Sequence, residues 1–376
     1  MTFIPIIKTV SVACNLRCDY CFYHEQEQSR FQDVMDETVL ARLIEETLRA
    51  NLRGAKFIWH GGEPLLAGIR FFQRAVELQQ KLAAPGQQII NTIQTNGTLL
   101  NRTWASFLAE RDFHVGVSLD GPMEIHDKHR KFPNGSGSHS RVMRGIEHLR
   151  KAGTRFGVIA VVTRDTVVSP QFVFDFFRRE GIYRISFNTL SCRYGPSRYG
   201  ADNSSDAPSS YEPTVGQYAE FLKIMFDLWI SVDDPRIHIR QIDNIVKLLM
   251  GGRHSSCVFA NHCHRYFTVD HRGDVYLCDA EIMNSETLLG NLGDGGVQHI
   301  LSSSKFLAHR TRFATIRQQN GCPSCLWFGL CRGGCSGDYF AAAQGGASKN
   351  MFCGFLQDMF GYCRNRLVEL GVKVVV

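Results

Sequence analysis

Three cysteines near the N-terminus carry the strongest chemical signal in this sequence. The segment reads Cys14-Asn-Leu-Arg-Cys18-Asp-Tyr-Cys21-Phe-Tyr, so three thiols share one short loop in C-x3-C-x2-C spacing. Thiolates placed this way can ligate three irons of a cubane and leave the fourth iron open. An open coordination position is what a catalytic metal needs and a structural metal does not. The competing reading is a zinc site completed by a nearby histidine such as His24. Gly61-Gly62-Glu63 argues against zinc, because it follows a strand and suits a small ligand. Its glycines let backbone approach such a ligand, and Glu63 offers a carboxylate to an ammonium group.

Cysteine usage extends the argument. Thirteen cysteines stand in 376 residues, three between positions 14 and 21 and nine between 257 and 363, with Cys192 alone in the gap. The N-terminus has no basic segment followed by a long apolar one, and no window approaches a membrane span, so the chain reads as cytoplasmic. Disulfides are disfavoured there, which leaves metal or redox chemistry for clustered thiols. The later cysteines fall as Cys257-x5-Cys263-x14-Cys278 and Cys322-x2-Cys325-x5-Cys331-x3-Cys335-x17-Cys353. Eight thiols suffice for two fully ligated clusters, or for two structural zincs. Cys192 and Cys363 are left over and read as small buried hydrophobes.

These residues need a frame. Candidate strands are Lys56–Trp59, Ile89–Gln94, His114–Ser118, Arg155–Val162 and Arg184–Asn188. Amphipathic helical patterns alternate with them at Asp36–Ala50, Ile69–Leu82, Thr103–Glu110, Ser140–Ala152 and Pro170–Glu180. Repeated strand–helix units predict an α/β fold with a parallel sheet, and about six units suit a partial (β/α)6 barrel. Chemistry in such folds sits at the C-terminal strand ends. Gly61-Gly62-Glu63-Pro64 follows the second strand, Thr95-Asn96-Gly97 the third and Asp120-Gly121-Pro122 the fourth, as that rule requires. The polar stretch 191–213 reads as a lid, a substrate-specific insertion or a solvated linker. Helices resume at Thr214–Ile230 and Gln241–Leu249, and a closing helix runs from Phe355 to Leu370. The expected organisation is a core barrel over 1–232, a helical linker over 233–256 and a cysteine-rich iron–sulfur domain over 257–376.

Composition excludes more than it assigns. Hydrophobic residues make up 44%, charged residues 21%, and the net charge is +6. No dense Lys/Arg tract is interleaved with aromatics, so nucleic acid is not an expected partner, and neither is a membrane.

The pairing of Cys14–Cys21 with Gly61–Glu63 resembles the signature of the radical S-adenosylmethionine (SAM) superfamily. The resemblance implies that Cys14, Cys18 and Cys21 hold a [4Fe–4S] cluster that binds SAM and cleaves it to a 5′-deoxyadenosyl radical. The later cysteines resemble the SPASM extension of peptide-modifying members. By that resemblance Cys257, Cys263, Cys278 and Cys335 bind one auxiliary [4Fe–4S] cluster, and Cys322, Cys325, Cys331 and Cys353 bind another. A non-catalytic iron–sulfur electron carrier would need neither the open iron nor the SAM element.

Within that group the chain looks most like the anaerobic sulfatase-maturating enzymes, through Cys14–Tyr23, Gly61–Gly68, Gln94–Leu99, Ser118–Pro122, Gly273–Asp279, Leu289–Asn291 and Trp327–Cys335. Position by position this implies SAM contacts at Tyr20, Gly61, Gly62, Glu63, Ser118, Arg130 and Leu190. Arg130 could pair with the SAM carboxylate, or could be a surface arginine in the basic run His129-Arg130-Lys131. Asp279, directly after Cys278, matches the proposed base, and could instead only order the cluster loop.

One departure stands out. Sulfatase maturases carry Gln just before Gly-Gly-Glu, beside the substrate's reactive side chain, and this sequence has His60. A His there looks more like maturases of ribosomal peptides that join an aromatic ring to a neighbouring Cβ, forming cyclophanes. The expectation is therefore hydrogen abstraction at a peptide Cβ, then loss of a proton and an electron, giving such a crosslink. Oxidation of Cys or Ser to formylglycine comes second, and thioether formation or epimerisation third. An N-terminal leader-gripping domain is not expected, which weighs against the crosslink without excluding it. The expected partners are a substrate peptide or protein and an acidic electron donor, flavodoxin or ferredoxin.

Overall fold

The computed structural model describes residues 2–21, 23, 34–189, 211–253, 256–260, 263–279, 287–338, 350 and 352–376, without the side chains of 260 and 263. Leu190, His24, Cys192 and most of the 191–213 stretch lie outside the described residues. The chain forms two compact units. The first comprises residues 1–118, 127–156 and 264–311, and the second 119–126, 157–263 and 312–376.

In the first unit, strands β1 (Ile4–Lys8), β2 (Gly54–His60), β3 (Gln88–Thr95) and β4 (His114–Ser118) pair in parallel, each with the next. Strand β8 (Tyr266–Val269) joins the other side of β1 in parallel, and β9 (Asp274–Tyr276) and β10 (Leu288–Asn291) extend that side antiparallel. In the second unit β5 (Phe156–Val162), β6 (Arg184–Thr189) and β7 (His238–Ile239) pair in parallel. The strands from β1 to β6 are parallel, as the partial (β/α)6 barrel expected from the sequence requires, and the cysteine-rich segment follows them.

The helices are α1 (Glu37–Ala50), α2 (Ile69–Leu82), α3 (Arg102–Glu110), α4 (Met123–His129), α5 (His139–Lys151), α6 (Arg164–Val167), α7 (Pro170–Arg179), α8 (Val215–Val232), α9 (Arg240–Leu249), α10 (Cys257–Ala260), α11 (Gly296–Ser302), α12 (Ser304–Gln319), α13 (Phe328–Cys331) and α14 (Cys353–Glu369). Their starts follow local chemistry. The Asp36 carboxylate accepts the Val39 N–H to cap α1, and Thr214 and Gln217 form a reciprocal capping box on α8. In α2, Phe72, Ala75, Val76 and Gln79 recur at helical spacing and face inward. The buried core of the first unit is aromatic there: Phe72 meets Trp59, Trp104 and Phe113 edge-on. Trp59 Nε1 donates to Asn91 Oδ1 at 2.9 Å, which anchors the end of β2 just before His60. Among the described residues no helix is long and apolar enough to cross a membrane.

Candidate active site

The parallel register brings the first chemistry together. Lys8 and His60 are the last residues of β1 and β2, and they are direct register partners. Lys8 is fully buried, and its ammonium donates to the Tyr23 hydroxyl at 2.6 Å, lies 3.3 Å from His60 Nδ1 and pairs with the carboxylate of Asp279. Asp279 follows β9, so three strand ends supply one cluster of Lys8, Tyr23, His60 and Asp279 within the first unit. Sequence reasoning named His60 and Asp279 and missed Lys8. The available signal was a charged residue closing the apolar run Ile4-Pro5-Ile6-Ile7, just ahead of the cysteine loop.

The His60 tautomer follows from its neighbours. Nδ1 accepts the Gly61 N–H at 2.8 Å and faces the Lys8 ammonium, and both are donors only. The ring proton is therefore on Nε2. Burial, reinforced by the Lys8 charge and opposed by Asp279, lowers the His60 pKa to about 4, so the ring is neutral. His60 presents an N–H donor.

The cysteine loop and the glycine turn are joined by main chain. The Gly62 N–H donates to Ser11 O at 3.1 Å and the Glu63 N–H to Ala13 O at 2.8 Å. A Cβ on Gly62 would lie 2.0 Å from Ala13 O, so only glycine permits this approach. Glu63 does not offer its carboxylate outward, contrary to the sequence expectation. It is fully buried, with Oε1 accepting from Thr95 Oγ1 at 2.8 Å and the Leu65 N–H at 3.0 Å, and Oε2 accepting from the Asn96 N–H at 2.7 Å. Burial raises its pKa to about 7 despite those bonds.

The three N-terminal thiols fit a shared group. Burial raises the Cys21 pKa to about 11, and the Cys14 charge adds to the rise, while the Tyr23 backbone bond, Arg130 and Lys8 oppose it. Burial raises the Cys14 pKa to about 12, and the Leu16 N–H and Asn96 Nδ2 that donate to its Sγ at 3.4 and 3.6 Å oppose that rise. Arg130 is not a surface residue: it is 7% exposed and lies 5.4 Å from the Tyr20 ring centre, and Tyr20 is itself buried. Ser118 ends β4 and accepts from Gln94 Nε2 at 3.1 Å.

In the second unit Cys322, Cys325, Cys331 and Cys353 line one cavity of about 170 Å³. Burial raises the Cys331 pKa, and the neighbouring Cys322, Cys353 and Cys325 charges raise it further, while the Gly333 N–H lowers it. Among the described residues no three His, Cys, Asp or Glu side chains close on a single ion-sized point. The four thiols line one cavity together, and a set of four thiols suits an iron–sulfur cluster. Of the other predicted quartet, Cys278 belongs to the first unit, and Cys257, Cys263 and Cys335 to the second. Cys335 lines a second cavity of about 260 Å³ with Tyr218, Arg240, Gln241 and Asn244.

Known proteins share this arrangement. Residues 9–174 match the radical SAM superfamily, and residues 257–326 match SPASM, an iron-sulfur cluster-binding domain. The cysteine-type anaerobic sulfatase-maturating enzyme of Clostridium perfringens strain 13 is 33% identical over 375 residues, 98% of either chain. The serine-type enzyme of Bacteroides thetaiotaomicron is 32% identical, over 93% of this chain and 86% of its own. A solved structure of native anSMEcpe with bound AdoMet and Cp18Cys peptide aligns with TM-score 0.85 and 31% identity, covering 98% and 99% of the two chains. Streptococcus suis SuiB bound to precursor peptide SuiA shares the fold at TM-score 0.65 and 16% identity, over 93% of this chain and 74% of that one. The cofactors of such a chain are SAM and [4Fe–4S] clusters, with auxiliary clusters in the SPASM domain. This chain belongs to the radical SAM, SPASM-containing family of peptide-modifying enzymes that includes the anaerobic sulfatase-maturating enzymes.

Proposed function

We propose that this enzyme oxidises a cysteine or serine side chain of a sulfatase-type peptide to formylglycine. The sequence alone ranked an aromatic crosslink first. The end-to-end likeness to cysteine-type and serine-type maturases favours the oxidation it ranked second. The observation that carries the reading is the pairing of Asp279 with buried Lys8 beside His60.

When bound, the cluster on Cys14, Cys18 and Cys21 supplies the electron that splits SAM into methionine and a 5′-deoxyadenosyl radical, and the auxiliary clusters accept the substrate's electron. Tyr20, Arg130, Ser118 and the Gly61–Gly62 backbone hold SAM, with Leu190 a further contact outside the described residues. Loss of a Cβ hydrogen leaves a substrate radical whose S–H or O–H must release its proton as one electron departs. Asp279 takes that proton. Lys8 pairs with the carboxylate and so fixes its position beside His60. His60 can only donate through Nε2, so a substrate thiol or hydroxyl beside it is bonded as an acceptor and its own proton is left for Asp279. Serine gives the aldehyde directly, and cysteine gives a thioaldehyde that water hydrolyses with release of sulfide. An acidic flavodoxin or ferredoxin in the cytoplasm is the proposed electron donor.

His60 in place of Gln favours one second reading, the cyclophane. Anaerobically reconstituted protein should be incubated with SAM, dithionite and Cys- or Ser-containing sulfatase peptides, and the product read by mass spectrometry after hydrazide trapping. A trapped aldehyde is expected. A peptide lighter by two hydrogens that forms no hydrazone, with fragmentation blocked between an aromatic and its neighbour, would replace this reading with the crosslink.

A further inference from the structure

We propose that Gln357 raises the reduction potential of the auxiliary cluster held by Cys322, Cys325, Cys331 and Cys353. The inference rests on reading those four thiols as one cluster's ligands. Gln357 stands one helical turn after Cys353 in α14, on the same face. Its amide Nε2 donates to Cys353 Sγ at 3.6 Å and to Cys325 Sγ at 3.7 Å, and it lines the cavity that the four thiols share. A third thiol, Cys331, accepts the Gly333 N–H at 3.3 Å. That last donor is backbone, whereas the Gln357 amide is a part of this shell that a side-chain substitution can remove. Gln357 is exposed, and its truncation leaves no buried void.

The sign follows from charge. Ligand sulfurs carry much of a cluster's negative charge, and reduction adds one more. N–H donors aimed at those sulfurs therefore stabilise the reduced state more than the oxidised state. With Gln357 in place the oxidised cluster is the better electron acceptor. That suits the role of taking the electron a substrate radical must lose.

The test is an EPR-monitored potentiometric titration of the full-length, anaerobically reconstituted protein and its variants. Gln357→Leu removes the donors without charge, Gln357→Glu replaces them with an anion, and Gln357→Lys supplies donors with a cation. The midpoint potential should order as Lys, Gln, Leu, Glu, from highest to lowest, with iron and sulfide content unchanged. A Leu variant that titrates like the parent, or that loses its cluster, overturns a tuning role even if the charged variants shift. Replacing Cys322, Cys325, Cys331 and Cys353 together by Ala separates the underlying reading. If the iron and sulfide content of that variant matches the parent, these thiols hold no cluster and the proposal falls for that reason.

Discussion

The ammonium of Lys8 lies against the carboxylate of Asp279, joining the end of the first strand to a residue that directly follows a cysteine of the SPASM segment. Lys8 has no exposed surface, and its other neighbours are the Tyr23 hydroxyl and the His60 ring. A buried cation is costly without a partner, so this arrangement depends on Asp279 being ionised. The pair links the SAM-cleaving core to the group proposed to take the substrate proton.

Lys8→Met should separate these two jobs. SAM cleavage, read as 5′-deoxyadenosine, should continue, while peptide product falls by on the order of 10²-fold, as for loss of an acid–base group. Equal loss of both would mean that Lys8 supports the fold and not the chemistry.

His60 should be silent as a titrating group near neutral pH. Its folded pKa is lowered to about 4 from 6.5, so the unfolded chain binds the extra proton first. The folded protein consequently loses stability as pH falls through that interval, and gains nothing above it. His60→Gln, which keeps an N–H donor, should preserve turnover and the shape of its pH profile above neutrality. His60→Leu should lower turnover by roughly tenfold, the worth of one hydrogen bond. An inflection near neutrality in the parent that the Gln variant loses would sink the assignment.

Glu63 gives the opposite slope. Its pKa rises from 4.5 to about 7 on folding, so the native chain holds a proton that the unfolded chain has released. Stability should fall as pH rises through that window, by roughly 3 kcal/mol in total. Glu63→Gln should flatten this dependence in thermal unfolding. Glu63→Ala should cost about 3 kcal/mol or more, because the donors on Thr95, Asn96 and Leu65 lose their acceptor.

Gly62→Ala should act on the cluster loop alone. The new methyl would collide with the Ala13 carbonyl, one residue before Cys14. Iron bound by the N-terminal site and SAM cleavage should both fall, with the auxiliary cluster signals intact in EPR spectra. Normal iron loading at Cys14, Cys18 and Cys21 would show that the loop can shift without harm.

Much of the fold was legible because its signals are local. Ile69–Leu82 and His114–Ser118 were read with the bounds the structure gives, from helical spacing and strand alternation. β8, β9 and β10 were not read, since three or four residues carry too little periodicity, and β1 hides a Pro in a short run. The grouping of Cys322, Cys325, Cys331 and Cys353 came from resemblance, and the structure lines one cavity with these four thiols. Lys8 was not, because its role arises from the β1/β2 register and from Asp279, which lies far along the chain. The bonding of Glu63 was not legible for a related reason. A carboxylate beside two glycines reads as available, and only the packed β3 end reveals that Thr95 and Asn96 occupy it.

The joint between Gly62 and Ala13 is built from main-chain atoms on both sides. The bonds from the glycine turn to Ser11 and Ala13 therefore do not pass through the side chains at positions 60 and 279, although His60 Nδ1 accepts the neighbouring Gly61 N–H. Initiation and outcome are thus separable parts of this enzyme. If His60 and Asp279 act as proposed, exchanging them should redirect the product while the machinery that starts the reaction stays as it is.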